Sequence, residues 1–160
     1  MPLAETVRAF EDLQQAGKIL RWGVSNFDVD DILELESVSK ACAANQVLYN
    51  LARRGIEYDL MPFSLERSMP VMAYSPIEQG RLARDGTLAG IAAAHGATPA
   101  QIALAWVLDR PDVVAIPKSS RPPRVAENLG ALSIRLTQAD RARLEAAFPP
   151  PRRKQSLEMI

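Results

Sequence analysis

Four short apolar runs constrain this chain more than anything else in it: ILRWGVS (19–25), NQVLYN (45–50), MPVMAYSP (69–76) and DVVAIP (112–117). Each is rich in strand-forming residues, and each is followed by a segment with helical patterning. Strands that are apolar on nearly every residue are covered on both faces. A strict alternation of strand and helix therefore predicts an α/β fold built on a parallel sheet. Two architectures satisfy this, an open doubly wound sheet and a (β/α) barrel of the TIM type. Both need a crossover of only about ten or more residues between strands, so periodicity does not choose between them.

The helical segments carry their own start and stop signals. Thr6 to Ala16 reads as an amphipathic helix with Val7, Phe10 and Leu13 inward, closed by a turn at Gly17. Asp28, with Asp31 three residues on, reads as an N-cap for a helix whose inner face is Val29, Ile32 and Leu33. Residues 55–67 contain helical turns with Pro62 at an early-turn or kink position, and residues 86–95 form a small helix. Thr98, Pro99 and Gln101 make a capped helix start before IALAWVL, whose apolar surface on all sides predicts burial. RPPRVAENLGAL is the next helix, and Thr137 with Asp140 caps a last one, QADRARLEAAF. The Glu57/Asp59 pair reads as a polar helix face, and the single histidine, His95, as a helix C-terminal residue meeting carbonyls and solvent. FPPPRRK (148–154) reads as a stiff tail leaving the last helix rather than a polyproline ligand.

Composition removes several function classes. With 160 residues, 48% of them hydrophobic, the chain can build one sizeable core. Nineteen basic and nineteen acidic side chains cancel, which leaves no general field for nucleic acid or an anionic membrane, so any anion site is local. Cys42 stands alone, which excludes an internal disulfide framework and fits a reducing compartment; it reads as a packing residue. No apolar run approaches the ~20 residues of a membrane span, and the first residues lack the pattern of a secretion signal, which predicts a cytoplasmic protein. Metal-ligand spacings, a P-loop and internal repeats are not found in the sequence.

In either architecture ligands gather at the carboxyl ends of the strands. The residues there are Ser25 and Asn26, then Tyr49 and Asn50 with Gln46 at the strand start, then Tyr74, Ser75 and Pro76, then Lys118 and Ser119. These are amide, hydroxyl, aromatic and ammonium groups, suited to binding more than to acid or base work. A helix opening near Pro122 offers a positive dipole end and unpaired backbone N–H groups. Lys118, Ser119 and Arg124 around it can converge on a phosphate. A solvated surface turn is equally compatible with that stretch. Taken singly, Tyr74 also reads as a core aromatic, and Ser25 and Asn26 as helix-capping residues.

WGVSNF, ANQVLYNL, VMAYSPI and IPKSSRPPRVAEN, in this order and at these separations, resemble the C-terminal half of an aldo/keto reductase. The family consists of NADPH-dependent (β/α)8 barrels, and the resemblance covers essentially the whole chain. It implies that Ser25, Asn26 and Gln46 bind the nicotinamide carboxamide, that Tyr74 stacks on the nicotinamide, and that Ser75, with Ile77, Gln79 and Gly80 near it, lies along the pyrophosphate. It further implies that Lys118, Ser119 and Arg124 surround the adenosine 2′-phosphate, favouring NADPH over NADH, and that Glu127 and Asn128 lie beside the adenine. Arg121 departs from the family pattern, which often has a small hydroxyl residue there; it either adds a phosphate contact or removes an N-cap.

The same resemblance exposes a deficit. In the family, a tyrosine, aspartate, lysine and histidine that deliver the proton come from the first half of the barrel, and His95, Tyr49 and Tyr58 match none of them. No catalytic or metal-binding residue is assigned to this chain. The expectation is therefore half a barrel over residues 1–148, followed by a Pro-rich, basic tail over 149–160. Such a half would hold the cofactor and be inactive alone, with two unpaired sheet edges. Self-association or a complementary N-terminal half-barrel would cover them. The alternatives are a non-catalytic NADPH-binding module that associates with a partner, and a truncated product without activity.

Overall fold

The computed structural model describes residues 2–160. Its elements, in chain order, are α1 (Leu3–Gln15), β1 (Val24–Ser25), α2 (Val29–Val38), β2 (Asn45–Leu48), α3 (Leu60–Glu66), β3 (Val71–Tyr74), α4 (Gly86–His95), α5 (Pro99–Leu108), β4 (Val113–Ala115), α6 (Pro122–Gly130) and α7 (Gln138–Ala147), with short 3-10 turns between them. The four strands pair in sequence order, all parallel. This is half of a (β/α) barrel: four βα units in a row, with a leading and a trailing helix.

The register makes the sheet two-faced. Ser25 pairs with Gln46, Gln46 with Met72, and Met72 with Val114, so these four form one row on one face. The flanking row of Val24, Asn45, Val71 and Val113, and the row of Val47, Ala73 and Ala115, lie on the other face under the helices. Val47, Val71 and Ala73 are buried there in one core with Ile91, Ile102, Val107 and Leu144, whereas Ser25 and Val114 are exposed. One face is thus packed and the other open.

Local chemistry explains where the helices begin and end. Asp28 and Asp31, Thr98 and Gln101, and Thr137 and Asp140 each form a reciprocal capping box. α1 closes with left-handed Gly17, where the Lys18 N–H bonds the Leu13 carbonyl and the Gly17 N–H that of Gln14. Pro62 sits at the third position of α3, where a missing N–H costs nothing because the first-turn donors have no helical partner. The inner face of α2 is Ile32 and Leu35, while Leu33 is exposed; helical spacing from Val29 runs through 32 and 35, and 33 falls to the side. β1 is shorter than its apolar run, since only Val24 and Ser25 pair with β2.

Two expectations about individual residues change. Glu57 does not lie on a solvated helix face. Its carboxylate receives the Tyr49 hydroxyl at 2.6 Å and, at 3.0 and 2.7 Å, the Arg54 guanidinium, which lies over the Trp106 ring. His95 stays partly exposed, but its ring meets a carboxylate rather than carbonyls. Its Nε2 lies 2.8 Å from Asp140 Oδ2, joining the end of α4 to the cap of α7.

The segment 149–160 does not leave the molecule. Leu157 packs on the core, Lys154 reaches Asp28 at 3.3 Å and Asp59 at 3.0 Å, and Glu158 meets Arg53 at 2.7 Å. An apolar residue spaced between charged ones let it fold back, a pattern hidden by the prolines before it.

Two outcomes are expected. A Cβ on Gly23 would lie 2.6 Å from the Ala44 carbonyl oxygen, so Gly23→Ala must push β1 away from β2. A loss of about 1–3 kcal/mol in urea unfolding is expected. Burial alone would raise the Asp140 carboxyl, but Thr137 and His95 bind its charged form and hold it at about 2. Its folded value lies below the unfolded one, so its stabilisation is complete above about pH 4 and is lost as pH falls towards 2. Asp140→Asn should lower stability at neutral pH and flatten the acid-side loss, as read from unfolding midpoints across that range.

Candidate functional site

Because all strands run the same way, the segments leaving β1, β3 and β4 emerge on one edge of the sheet, with Gln46 on the open face below. The structure brings Ser25, Asn26, Gln46, Tyr74 and Ser75 to three adjacent strands and places Lys118, Ser119, Arg124, Glu127 and Asn128 at the end of the sheet order, beyond β4.

The β1 turn is built with care. Asn26 takes a left-handed backbone, φ 57°, and its N–H bonds the Gln46 carbonyl at 2.8 Å. Asn45, fully buried in β2, holds the next residue in place: its amide nitrogen donates to the Phe27 carbonyl at 2.8 Å and its amide oxygen accepts from the Phe27 N–H at 3.4 Å. The Ser25 hydroxyl donates to the Gln46 carbonyl at 3.0 Å. Asn26 Oδ1 is then left buried without a donor, which is costly unless a ligand supplies one. A cleft of about 450 Å³ runs from Ser25, Gln46 and Met72 on the open face towards Arg21, Trp22, Ala43 and Ala44 at the amino ends of β1 and β2, and Asn26 is not among its walls.

The loop after β3 is strained. Ser75, Glu78 and Gln79 have φ of 48°, 47° and 53°, followed by Gly80 at 88°. A buried polar cluster holds it. Asn50 Nδ2 donates to the Ser75 carbonyl at 2.9 Å and to Glu78 Oε2 at 2.8 Å, and Arg53 and Arg81 bind the same carboxylate. Burial would raise the Glu78 carboxyl, but bonds from Arg81, Asn50 and Arg53 outweigh it and lower the value. Asn50 appeared among the strand-end residues, but the organising roles of Asn45 and Glu78 were missed. The available signal was a polar residue inside or just after an apolar run.

The start of α6 corrects one expectation. It does not present free backbone donors: Pro122 and Pro123 have no N–H, the Arg124 N–H returns to the Arg121 carbonyl at 2.9 Å, and the Arg121 N–H is taken by the Ser119 hydroxyl oxygen at 3.1 Å. Arg121 gives the helix no side-chain cap. An anion here would be held by side chains and the helix dipole. Lys118 and Arg124 are exposed, with Arg124 3.8 Å from Glu127. Glu127 also accepts the Thr98 hydroxyl at 2.8 Å, which ties α6 to the cap of α5. Asn128 is half-buried on a groove between α5, α6 and β4.

A second polar constellation lies on the helix side of the sheet. The Tyr49 hydroxyl sits between Glu57 and Arg110 Nε, the latter at 3.2 Å, and Arg54 extends the cluster to Glu145 and the Phe148 carbonyl. Burial and the neighbouring Glu57 carboxylate push the Tyr49 hydroxyl far up. Tyr58 is half-exposed and away from this cluster. Among the described residues no group of three or more His, Cys, Asp or Glu is arranged to hold a metal ion, and no single helix is long and apolar enough to cross a membrane.

A sequence model of the aldo/keto reductase family matches residues 1–148. The chain is 46% identical to the methylglyoxal reductase YeaE of Escherichia coli K12, over 98% of this chain and 57% of that protein. An aldo-keto reductase from Klebsiella pneumoniae crystallised with NADPH superposes with a TM-score of 0.96 at 47% identity, over 100% of this chain and 59% of that one. A second crystal structure of a Klebsiella pneumoniae aldo/keto reductase, with NADP and acetate, gives the same values. The chain therefore spans less than two thirds of the length of these relatives.

Proposed function

As a member of the aldo/keto reductase family, this chain is, we propose, the cofactor-holding half of an NADPH-dependent carbonyl reductase. The observation that carries this reading is the orphaned acceptor Asn26 Oδ1, buried on the same sheet edge that bears Tyr74 and the basic start of α6. A carboxamide NH2 is a donor of the kind that oxygen lacks, and Ser25 and Gln46 flank it. Tyr74 offers its ring face, the Ser75 loop follows the pyrophosphate, Lys118, Ser119 and Arg124 take the 2′-phosphate, and Glu127 and Asn128 border the adenine. The residues present fit the group. Bound NADPH would supply a hydride to a carbonyl carbon.

Turnover requires the remaining four βα units, which in the family bring the proton-donating tyrosine and its partners. The open face and the exposed Val125, Leu129 and Leu132 beside β4 leave surface for a covering partner, and the greater length of the relatives supports a complementary N-terminal half as that partner. The name of the relative at 46% identity makes a small 2-oxoaldehyde the first substrate to try on the completed barrel. The free thiol of Cys42 suits a reducing, cytoplasmic setting.

Calorimetric titration of the 160-residue chain tests the cofactor assignment. NADPH should bind more tightly than NADH, and Lys118→Ala or Arg124→Ala should each weaken NADPH by roughly tenfold, the size of one charge-assisted contact to phosphate, while barely changing NADH. Equal loss for both nucleotides would remove the 2′-phosphate from this corner. The chain alone should not reduce 4-nitrobenzaldehyde. Turnover abolished by Tyr49→Phe would overturn the division of labour proposed here.

A further inference from the structure

One cation joins the C-terminal segment to the loop after β3. Arg53 Nη1 donates to Glu158 Oε1 at 2.7 Å and Arg53 Nε donates to Glu78 Oε1 at 3.1 Å. Arg53 is itself fixed, because its backbone exchanges two hydrogen bonds with Asn50, and Asn50 holds both the Ser75 carbonyl and Glu78. Glu78 is only 3% exposed, so a carboxylate in this position depends on the donors around it. The loop it belongs to has three side-chain-bearing residues in left-handed backbone and keeps that shape only while it is held.

The segment touches the site in two further places. Lys154 bridges Asp28 and Asp59, and Asp28 caps α2 two residues after Asn26. Gln155 to Glu158 close a crevice over Leu48, whose partner across the sheet is Tyr74.

We propose that Arg53 is a positioning residue: by gripping Glu158 and Glu78 together, it transmits the docking of segment 149–160 into the conformation of the loop that carries Ser75, and so sets nucleotide affinity from outside the nucleotide site. The affinity part rests on the cofactor reading above, and the mechanical part does not. Arg53 touches no proposed cofactor contact directly. It acts through Asn50 and Glu78, and the segment acts through Arg53.

The test uses the 160-residue chain with Glu158→Gln, Arg53→Gln and the double variant. Glu158 is half-exposed, so its neutralisation leaves the core intact even if loss of Arg53 does not. Hydrogen exchange of the nucleotide-free protein should be several-fold faster across residues 75–81 in Glu158→Gln, and the double variant should be no faster than Arg53→Gln alone, since both act through one guanidinium. NADPH affinity should fall several-fold in Glu158→Gln with the NADPH-to-NADH ratio unchanged, unlike Lys118→Ala, which alters the ratio. Exchange that rises in 149–160 but not in 75–81 overturns the coupling, even if NADPH binds. Coupled exchange in a chain that binds no NADPH supports the mechanical link and overturns the cofactor reading instead.

Discussion

Parallel pairing in strict order, with each strand registered on the next, is the constraint from which the rest follows. It turns Ser25, Gln46, Met72 and Val114 into one row across the sheet, facing away from the helices. It also delivers the turns after β1, β3 and β4 to one edge. A polar residue in the row can serve a ligand, whereas its sequence neighbours Val24, Asn45, Val71 and Val113 are committed to the helix side. Shifting any strand by one residue would exchange the two sets and dismantle both the core and the candidate site together.

Much of this was legible in the sequence because it is written in short-range chemistry. The four apolar runs, the three capping boxes and the first-turn prolines each act over a few residues, and each run holds one strand and each box opens one helix, although β1 keeps only the last two residues of its run. The choice of a barrel was different in kind. It came from four motifs in register, since apolar runs in an open sheet would read the same. What escaped was long-range. Glu57 finds Arg54 nearby but Glu145 shares that guanidinium from α7, His95 finds Asp140 across 45 residues, and Glu158 finds Arg53 across 105. No local pattern announces such pairs. The start of α6 shows the opposite failure: a helix N-terminus was read as a set of free donors, although its own prolines and the turn at Ser119 remove or occupy them.

The uncovered edge beyond β4 has an energetic consequence. Leu129 is 66% exposed, Leu132 and Val125 are 54% exposed, and all three stand beside an edge strand. Full burial of such side chains is worth about 1.5–3 kcal/mol each, so this face forgoes several kcal/mol that a docked neighbour would recover. The stability of the four units therefore leans on the helix side at α5 and α7, where Trp106 lies under both Arg54 and Arg110 and where an ion pair from Arg54 ties down α7.

That asymmetry settles how the most strongly perturbed group should be read. A tyrosine with a raised hydroxyl, bonded to a carboxylate and one guanidinium while a second guanidinium binds that carboxylate, has the composition of an acid-base site, and perturbed ionisation is a general pointer to one. Tyr49, however, shares the parity of Val47 and Asn45, so it faces α5 and is sealed against Trp106 at 5.4 Å. A proton held there has no path to a carbonyl on the far side of the strand, and a hydroxyl raised by burial beside Glu57 becomes a worse donor at neutral pH rather than a better one. The cluster is accounted for by its bonds to Phe148 and Glu145, which fasten α7 to the turn after β2. In the cofactor reading proposed above, the amides and hydroxyls across the sheet are the groups offered to a ligand, because position on the pleat, ahead of ionisation, decides which side chains can take part.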